Sequence, residues 1–348
     1  MALTVAIDLA KTVFELAVAD EAGRIVERRR VSRRQLEQYF ANRAVGKVVM
    51  EACGSAHYWG RWFARRDIRV VLLPPHYVRA YVRRDKTDRA DATALLEASR
   101  APDIIPVTVK SVEQQALQGL HRIRSAWRAT QIARTNQLRG LCREFGIVAP
   151  LGDRGVEQLG RAINAKGSEV PEFIRDMLYQ LLEEVRELKG REMGVERQLG
   201  ELARQSEVCN RLYTIPGVGV LTATAMVGGV GDIHTFRNAR CFAAWLGLTP
   251  REHSSGTRRQ LGSISKRGDG YLRMLLVFGA RAVLWSANSA KRAGRPLDAL
   301  RAWALRVEAR TCHNKAAIAL ANKLARIIWA TWHRGQDFQL RAELPATA

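Results

Sequence analysis

The chain has 348 residues, enough for two or three domains, with ordinary apolar (47%) and charged (26%) fractions. Its charge balance is unusual: 56 Lys and Arg against 34 Asp and Glu, a formal net charge of +22. Such a surplus spreads a strong positive field that fits a polyanion, nucleic acid ahead of a membrane surface or a merely basic solubility surface. The five cysteines (Cys53, Cys142, Cys209, Cys241 and Cys312) are odd in number and show no CxxC spacing, which argues against a disulfide framework and a zinc knuckle. There is no basic leader with an apolar core and no run of about 18 apolar residues. The expectation is a reduced, cytoplasmic protein with no membrane partner.

In chain order, Thr4–Leu9, Val13–Ala19 and Ile25–Val31 are apolar runs separated by turn signals, Gly23 among them. They predict three antiparallel strands. Ser32 can cap a helix running to about Asn42. Lys47–Glu51 reads as a short buried strand ending in a carboxylate, followed by a helix from about Ser55 to Arg66 and a strand over Arg69–Leu73. A meander followed by strand, helix and strand predicts a mixed α/β sheet, which Pro74-Pro75 ends. Residues 76–100 read as helical with a polar insert from Arg83 to Ala92, and Ala101–Pro106 as a linker.

Ser111–Phe145 reads as one long helix, Gly146–Gly167 as loop, and Pro171–Gln205 as a second long helix. The pair predicts an antiparallel helical arm with an imperfect heptad, suited to oligomerisation. After Cys209 the composition shifts. Pro216-Gly217-Val218-Gly219 opens a helix through Val227 and reads either as a phosphate seat or as a tight helix–helix turn. Then come a helix over 236–247, a polar loop over 249–270, and apolar helices at about 270–287, 297–310 and 313–333. The implied domains are residues 1–103, a helical arm 104–208, a domain 209–335 and a tail 336–348.

Two constellations could carry chemistry. Asp8 and Glu51 end strands of one α/β unit, and Asp88 and Asp91 share a face of the helix that follows it. Four hard carboxylates suit Mg²⁺ or Mn²⁺, and a pair of such ions can hold both oxygens of a phosphodiester displacement. Salt bridging to Arg84, Lys86 and Arg89 is the plainer alternative for Asp88 and Asp91. The second constellation is the stretch from Thr249 to Asp269, where His253, Ser254, Ser255 and Gly256 lie among Arg251, Arg258, Arg259, Lys266 and Arg267. Hydroxyls beside Gly, flanked by cations, fit a loop against a nucleic-acid backbone. A serine there either attacks a phosphate or serves only as a hydrogen-bonding turn residue.

Taken in order, these pieces resemble a known family. Asp8-Leu9-Ala10-Lys11, Met50-Glu51-Ala52-Cys53-Gly54 and Lys86-Thr87-Asp88-Arg89-Ala90-Asp91-Ala92 resemble the N-terminal DEDD domain of transposases of insertion-sequence family one-hundred-and-ten. Ile215–Gly219, Phe236–Arg240, Leu246–Arg251, Ser255-Gly256 and Ile264–Gly268 resemble their C-terminal domain. The resemblance covers nearly the whole chain. It implies an α/β fold like ribonuclease H and Holliday-junction resolvases, then a coiled-coil-like helical linker and a mainly α C-terminal domain. It implies DNA recombination, with Asp8, Glu51, Asp88 and Asp91 as the Mg²⁺-binding tetrad and Ser255 as the nucleophile, Ser254 being its neighbour. It further implies donor and target DNA, a structured guide RNA and a dimer or tetramer as partners. Lys11, Lys86, Arg251, Arg258, Arg259, Lys266, Arg267 and Arg273 are the expected nucleic-acid contacts. The alternative is a metal-dependent resolvase that uses water, with Ser255 structural.

Overall fold

A computed structural model describes residues 3–41, 43–82 and 88–340, without the side chains of Asp88 and Arg89. The chain forms two compact units, Met1–Gln114 with Val230–Asp232, and Gln115–Gly229 with Ile233–Ala348.

The first unit is built on a five-stranded sheet of β1 (Leu3–Leu9), β2 (Val13–Ala19), β3 (Ile25–Ser32), β4 (Val45–Glu51) and β5 (Arg69–Leu73), in the order β3-β2-β1-β4-β5. β1, β2 and β3 pair antiparallel, while β1, β4 and β5 run parallel. The helices are α1 (Arg33–Ala41), α2 (Ala56–Ala64), a single turn α3 (Pro75–Val78) and α4 (Asp88–Ala98). Strand alternation sorts side chains onto two faces. Val5, Ile7, Phe14, Leu16, Val48 and Met50 pack with Leu36 of α1 and Trp59 and Phe63 of α2. Ala6, Ala17, Ala19, Val49 and Val71 pack with Ala92, Leu95 and Leu96 of α4. The predicted strands stand, and the mixed sheet follows from them. Ser32 caps α1 as expected, in a reciprocal box: Gln35 N donates to Ser32 Oγ (3.3 Å) and Ser32 N to Gln35 Oε1 (2.8 Å). The polar insert at 83–87, Lys86 included, lies outside the described residues.

The second unit opens with a long antiparallel helix pair, α5 (Val112–Arg143) and α7 (Glu172–Gln205). Between them lies α6 (Asp153–Ile163), where the sequence suggested loop. Its glycines are packing positions: a Cβ on Gly160 would meet Leu182, and one on Gly155 would run into the Pro150 carbonyl. Val156, Leu159 and Ile163 seal this end against Leu138, Leu178 and Leu182. Midway along, Glu192 is buried between Arg124 (2.8 Å) and Arg128 (3.0 Å), and Arg124 also reaches Glu196 (2.5 Å). Such a pair is worth little against an apolar replacement, but losing one member strands a buried charge.

The remaining helices are α8 (Glu207–Tyr213), α9 (Val220–Val230), α10 (Ala239–Trp245), α11 (Gly270–Arg292), α12 (Ala299–Arg310) and α13 (His313–Arg334). The predicted polar loop at 249–270 is instead a two-stranded antiparallel ribbon, β6 (Pro250–Glu252) with β7 (Leu261–Ile264). The Pro216–Gly219 turn lies against α11 so closely that a Cβ on Gly279 would strike the Gly217 carbonyl, which accounts for these two glycines by packing. Among the described residues no helix is long and apolar enough to cross a membrane.

Candidate active site

The first group of side chains collects at the C-terminal edge of the parallel strands. Ile7 pairs with Met50, so Asp8 and Glu51 follow as the next residues in register, on the face that α4 covers. Asp8 is also the direct partner of Glu15 on β2. Three carboxylates thus occupy neighbouring register positions, and like charges placed opposite each other destabilise a sheet unless a cation offsets them. Glu15 was not singled out from sequence; the two-residue period, applied to a β1–β2 hairpin, would have found it. Burial pushes the Cys53 thiol pKa up, and the nearby carboxylates of Glu51 and Asp8 push it further. Both acids are thus within electrostatic reach of one thiol just past β4. Asp91 sits one turn into α4, half-buried, and Asp88 begins that helix with its side chain outside the described set. Ala92 and Leu95, which continue the same helix stripe, are buried against β1 and β4. Among the described residues no group of three or more His, Cys, Asp or Glu is placed to hold a metal ion. The donor chemistry fits one nonetheless: hard oxygens at adjacent strand ends with α4 laid over the same face. Lys11 is exposed just beyond Asp8.

The second group is the ribbon, and its residues from Pro250 to Ser263 are all exposed. Ser255 and Arg258 exchange both backbone hydrogen bonds (3.2 and 3.1 Å), which closes a two-residue turn on Gly256 and Thr257. Gly256 has φ +55° while Thr257 stays in the ordinary region, the type II′ pattern that asks for Gly first. Ser255 therefore stands at the corner of the tip. Its neighbour Ser254 is committed: its hydroxyl donates to Glu252 (2.7 Å) and accepts from Gln260 N (3.1 Å). Glu252 in turn faces Arg259 (3.5 Å). Glu252 is a second residue that sequence reasoning passed over. Arg251 reaches the Ser265 carbonyl (3.4 Å), and Arg273 donates to the Leu246 (3.0 Å) and Arg267 (3.4 Å) carbonyls. Arg258, Lys266 and Arg267 are exposed.

The foot of the ribbon is locked. Gly247 (φ +71°) and Gly268 (φ +85°) lie where a side chain is excluded: a Cβ on Gly247 would strike the Arg267 backbone, and one on Gly268 the Trp245 carbonyl. Lys266, at φ +55°, completes the crossing and donates its N–H to Gly247 O (3.1 Å). Just beyond, Asp269 caps α11 through Tyr271 N (2.8 Å) and Leu272 N (3.1 Å). The Tyr271 hydroxyl meets buried His121 Nδ1 (3.0 Å), whose Nε2 meets Thr224 Oγ1 (2.9 Å). Thr224 already donates to Val220 O (2.6 Å), so it accepts from His121, and the ring carries its proton on Nε2. Burial, with Arg124 nearby, drives the His121 pKa down to about 4.

Comparison with known proteins gives both groups a common setting. Residues 5–146 match the family model of DEDD-type IS110 transposases, and residues 209–294 match the transposase IS116/IS110/IS902 family. A probable family 20 transposase of Pseudomonas aeruginosa is 40% identical, over 95% of this chain and 96% of its own. The transposase for insertion sequence element IS1111A of Coxiella burnetii is 38% identical, over 97% and 91%. That for element IS1328 of Yersinia enterocolitica is 35% identical, over 96% and 98%. With identity at that level across nearly the full length of each chain, the protein belongs to the IS116/IS110/IS902 family of insertion-sequence transposases, enzymes that cleave DNA and transfer its strands.

Proposed function

We propose that this transposase cleaves DNA with Ser255 as nucleophile, against a phosphate held at a Mg²⁺ (or Mn²⁺) site made by Asp8, Glu51, Asp88 and Asp91. The observation that carries the reading is the corner position of Ser255 on an exposed ribbon between Arg251, Arg258 and Arg259, with no hydrogen bond to its hydroxyl among the described residues. The Ser255 oxygen bonds to phosphorus, its proton is released, the P–O bond to the leaving strand breaks, and that oxygen takes up a proton. Reversal with a different strand end rejoins DNA. The arginines stabilise the charge that builds on the phosphoryl oxygens. A divalent cation, of the kind DEDD transposase domains use, supplies Lewis-acid polarisation of the phosphate. The strand order β3-β2-β1-β4-β5 supports a ribonuclease-H-like reading of the first unit. A guide RNA, donor and target DNA, and assembly as a dimer or tetramer through the helical arm belong to the same proposal, in keeping with the net charge of +22.

The rival nucleophile is Ser254, because a hydroxyl donating to a carboxylate has a base at hand. A denaturing gel of protein incubated with element-end DNA decides. Ser255→Ala should abolish the covalent adduct while nucleic-acid affinity is kept. An adduct that survives this change and vanishes with Ser254→Ala moves the nucleophile by one residue. Cleavage with no adduct in the wild-type protein means that water attacks, and full activity in EDTA removes the metal.

A further inference from the structure

The second unit also holds a cleft of about 1250 Å³ between the foot of the ribbon and helices α12 and α13. Pro250 and Ile264, which pair at the base of the ribbon, are part of its lining. So are Trp303 of α12 and Trp329 of α13. Lys315, Lys323 and Arg326 line it as well, and among the described residues no carboxylate does. The Lys323 ammonium lies 4.1 Å from the centre of the Trp303 ring. Burial lowers the pKa of this amine, and Arg326 and Arg306 lower it further, as befits a cation among cations. Drug-sized ligands occupy roughly 300–1,000 Å³, so this volume suits something longer. Indole faces beside cations are how proteins hold single strands whatever their sequence, since every base offers a flat face once it is unpaired.

We propose that this cleft seats a segment of single-stranded DNA, with bases against Trp303 and Trp329 and phosphates on Lys315, Lys323 and Arg326. The choice of DNA over RNA rests on the reading of Ser255 as the DNA nucleophile, because the two places share one ribbon. From Pro250 at the cleft to Ser255 at the tip is roughly 16 Å of strand. A strand lying along the ribbon reaches both, so the cleft anchors DNA next to the bond that is cut.

The test uses the full-length protein in EDTA and a short fluorescein-labelled oligothymidylate, titrated by fluorescence anisotropy. Trp303→Ala should weaken binding about 10- to 100-fold, the effect of one lost base stack, and Trp303→Phe should restore most of it. Lys323→Gln should flatten the log–log salt dependence by about 0.7, the share of one phosphate on a single strand. Wild-type affinity in both Trp303→Ala and Lys323→Gln overturns the proposal, as does an oligouridylate of equal length that depends on Trp303 more than the DNA does. If circular dichroism shows Trp303→Ala unfolded, Lys323→Gln and Trp329→Ala decide. The two readings fail separately. Adduct formation at Ser255 with unchanged oligothymidylate binding in the variants removes the cleft alone. Loss of binding in Trp303→Ala, in a protein that never forms an adduct, removes the serine alone.

Discussion

The two groups of candidate catalytic side chains stand on opposite kinds of scaffold. Asp8 and Glu51 follow Ile7 and Met50, each 0% exposed, in the interior of a sheet covered on both faces. Ser255 stands at the end of a narrow ribbon exposed from Pro250 to Ser263. Carboxylates in adjacent register repel one another, so they stay in place only where the backbone beneath them cannot yield. On the proposed reading Ser255 must meet a bulky polyanion and needs reach instead, and a ribbon provides it at the cost of rigidity along its length. The ribbon recovers rigidity at its foot, where Gly247 and Gly268 interlock and Tyr271, close behind, is tied to His121. The difference teaches that precision is supplied by the sheet at one group and by the anchor at the other.

Changes to each scaffold should therefore fail differently. The largest effect is expected from Asp8→Asn: adduct formation should fall roughly a thousandfold, the several kcal/mol that a lost metal contact removes from the transition state. Thermal stability in EDTA should not fall, since one of three neighbouring carboxylates is neutralised; a large drop in melting temperature would mean that Asp8 is structural.

At the other scaffold the anchor responds to acid. The folded-state pKa of His121, about 4, lies below its ordinary 6.5, so its contribution is fully present above pH 6.5 and drains away as pH falls toward 4. The loss should reach roughly 3 kcal/mol, visible in urea titrations at stepped pH. His121→Gln should flatten that dependence. Next, Gly268→Ala forces a side chain into a left-handed position and onto the Trp245 carbonyl. It should cost about 2 kcal/mol or more, with adduct yield falling further than stability because the ribbon is re-aimed. Smallest is Ser254→Ala, which removes the bonds to Glu252 and Gln260. At about 1 kcal/mol of local stability it should lower adduct yield only several-fold, read on the same gel.

How much of this was legible in the sequence varied with the environment of each element. β2 and β5 have the predicted bounds because, Glu15 and Arg69 apart, their residues are apolar on both faces and end at turn residues. The α1 cap was readable as Ser32 with Gln35 three residues on. The β6–β7 ribbon was missed because both of its faces meet solvent, so no apolar alternation marks it; the only signal was Gly256 in second place of a Ser-Gly-Thr-Arg turn. α6 was missed because Gly155 and Gly160, which look like helix breakers, are there to let neighbouring chain approach. The acids Asp8 and Glu51 were legible as charges ending apolar strands. Glu15 and Glu252 were not, because their importance comes from register and from a hydrogen bond within a turn.

The fixed foot of the ribbon has a consequence for how the element's enzyme can change. With one end clamped, the ribbon behaves as a ruler: lengthening each strand by two residues carries the tip roughly 7 Å outward and keeps the serine on its side, while a single-residue change turns it to the opposite face. The reach of Ser255 from the clamped foot is thus adjustable only in steps. Relatives whose ribbon is longer or shorter should differ here by even numbers of residues per strand.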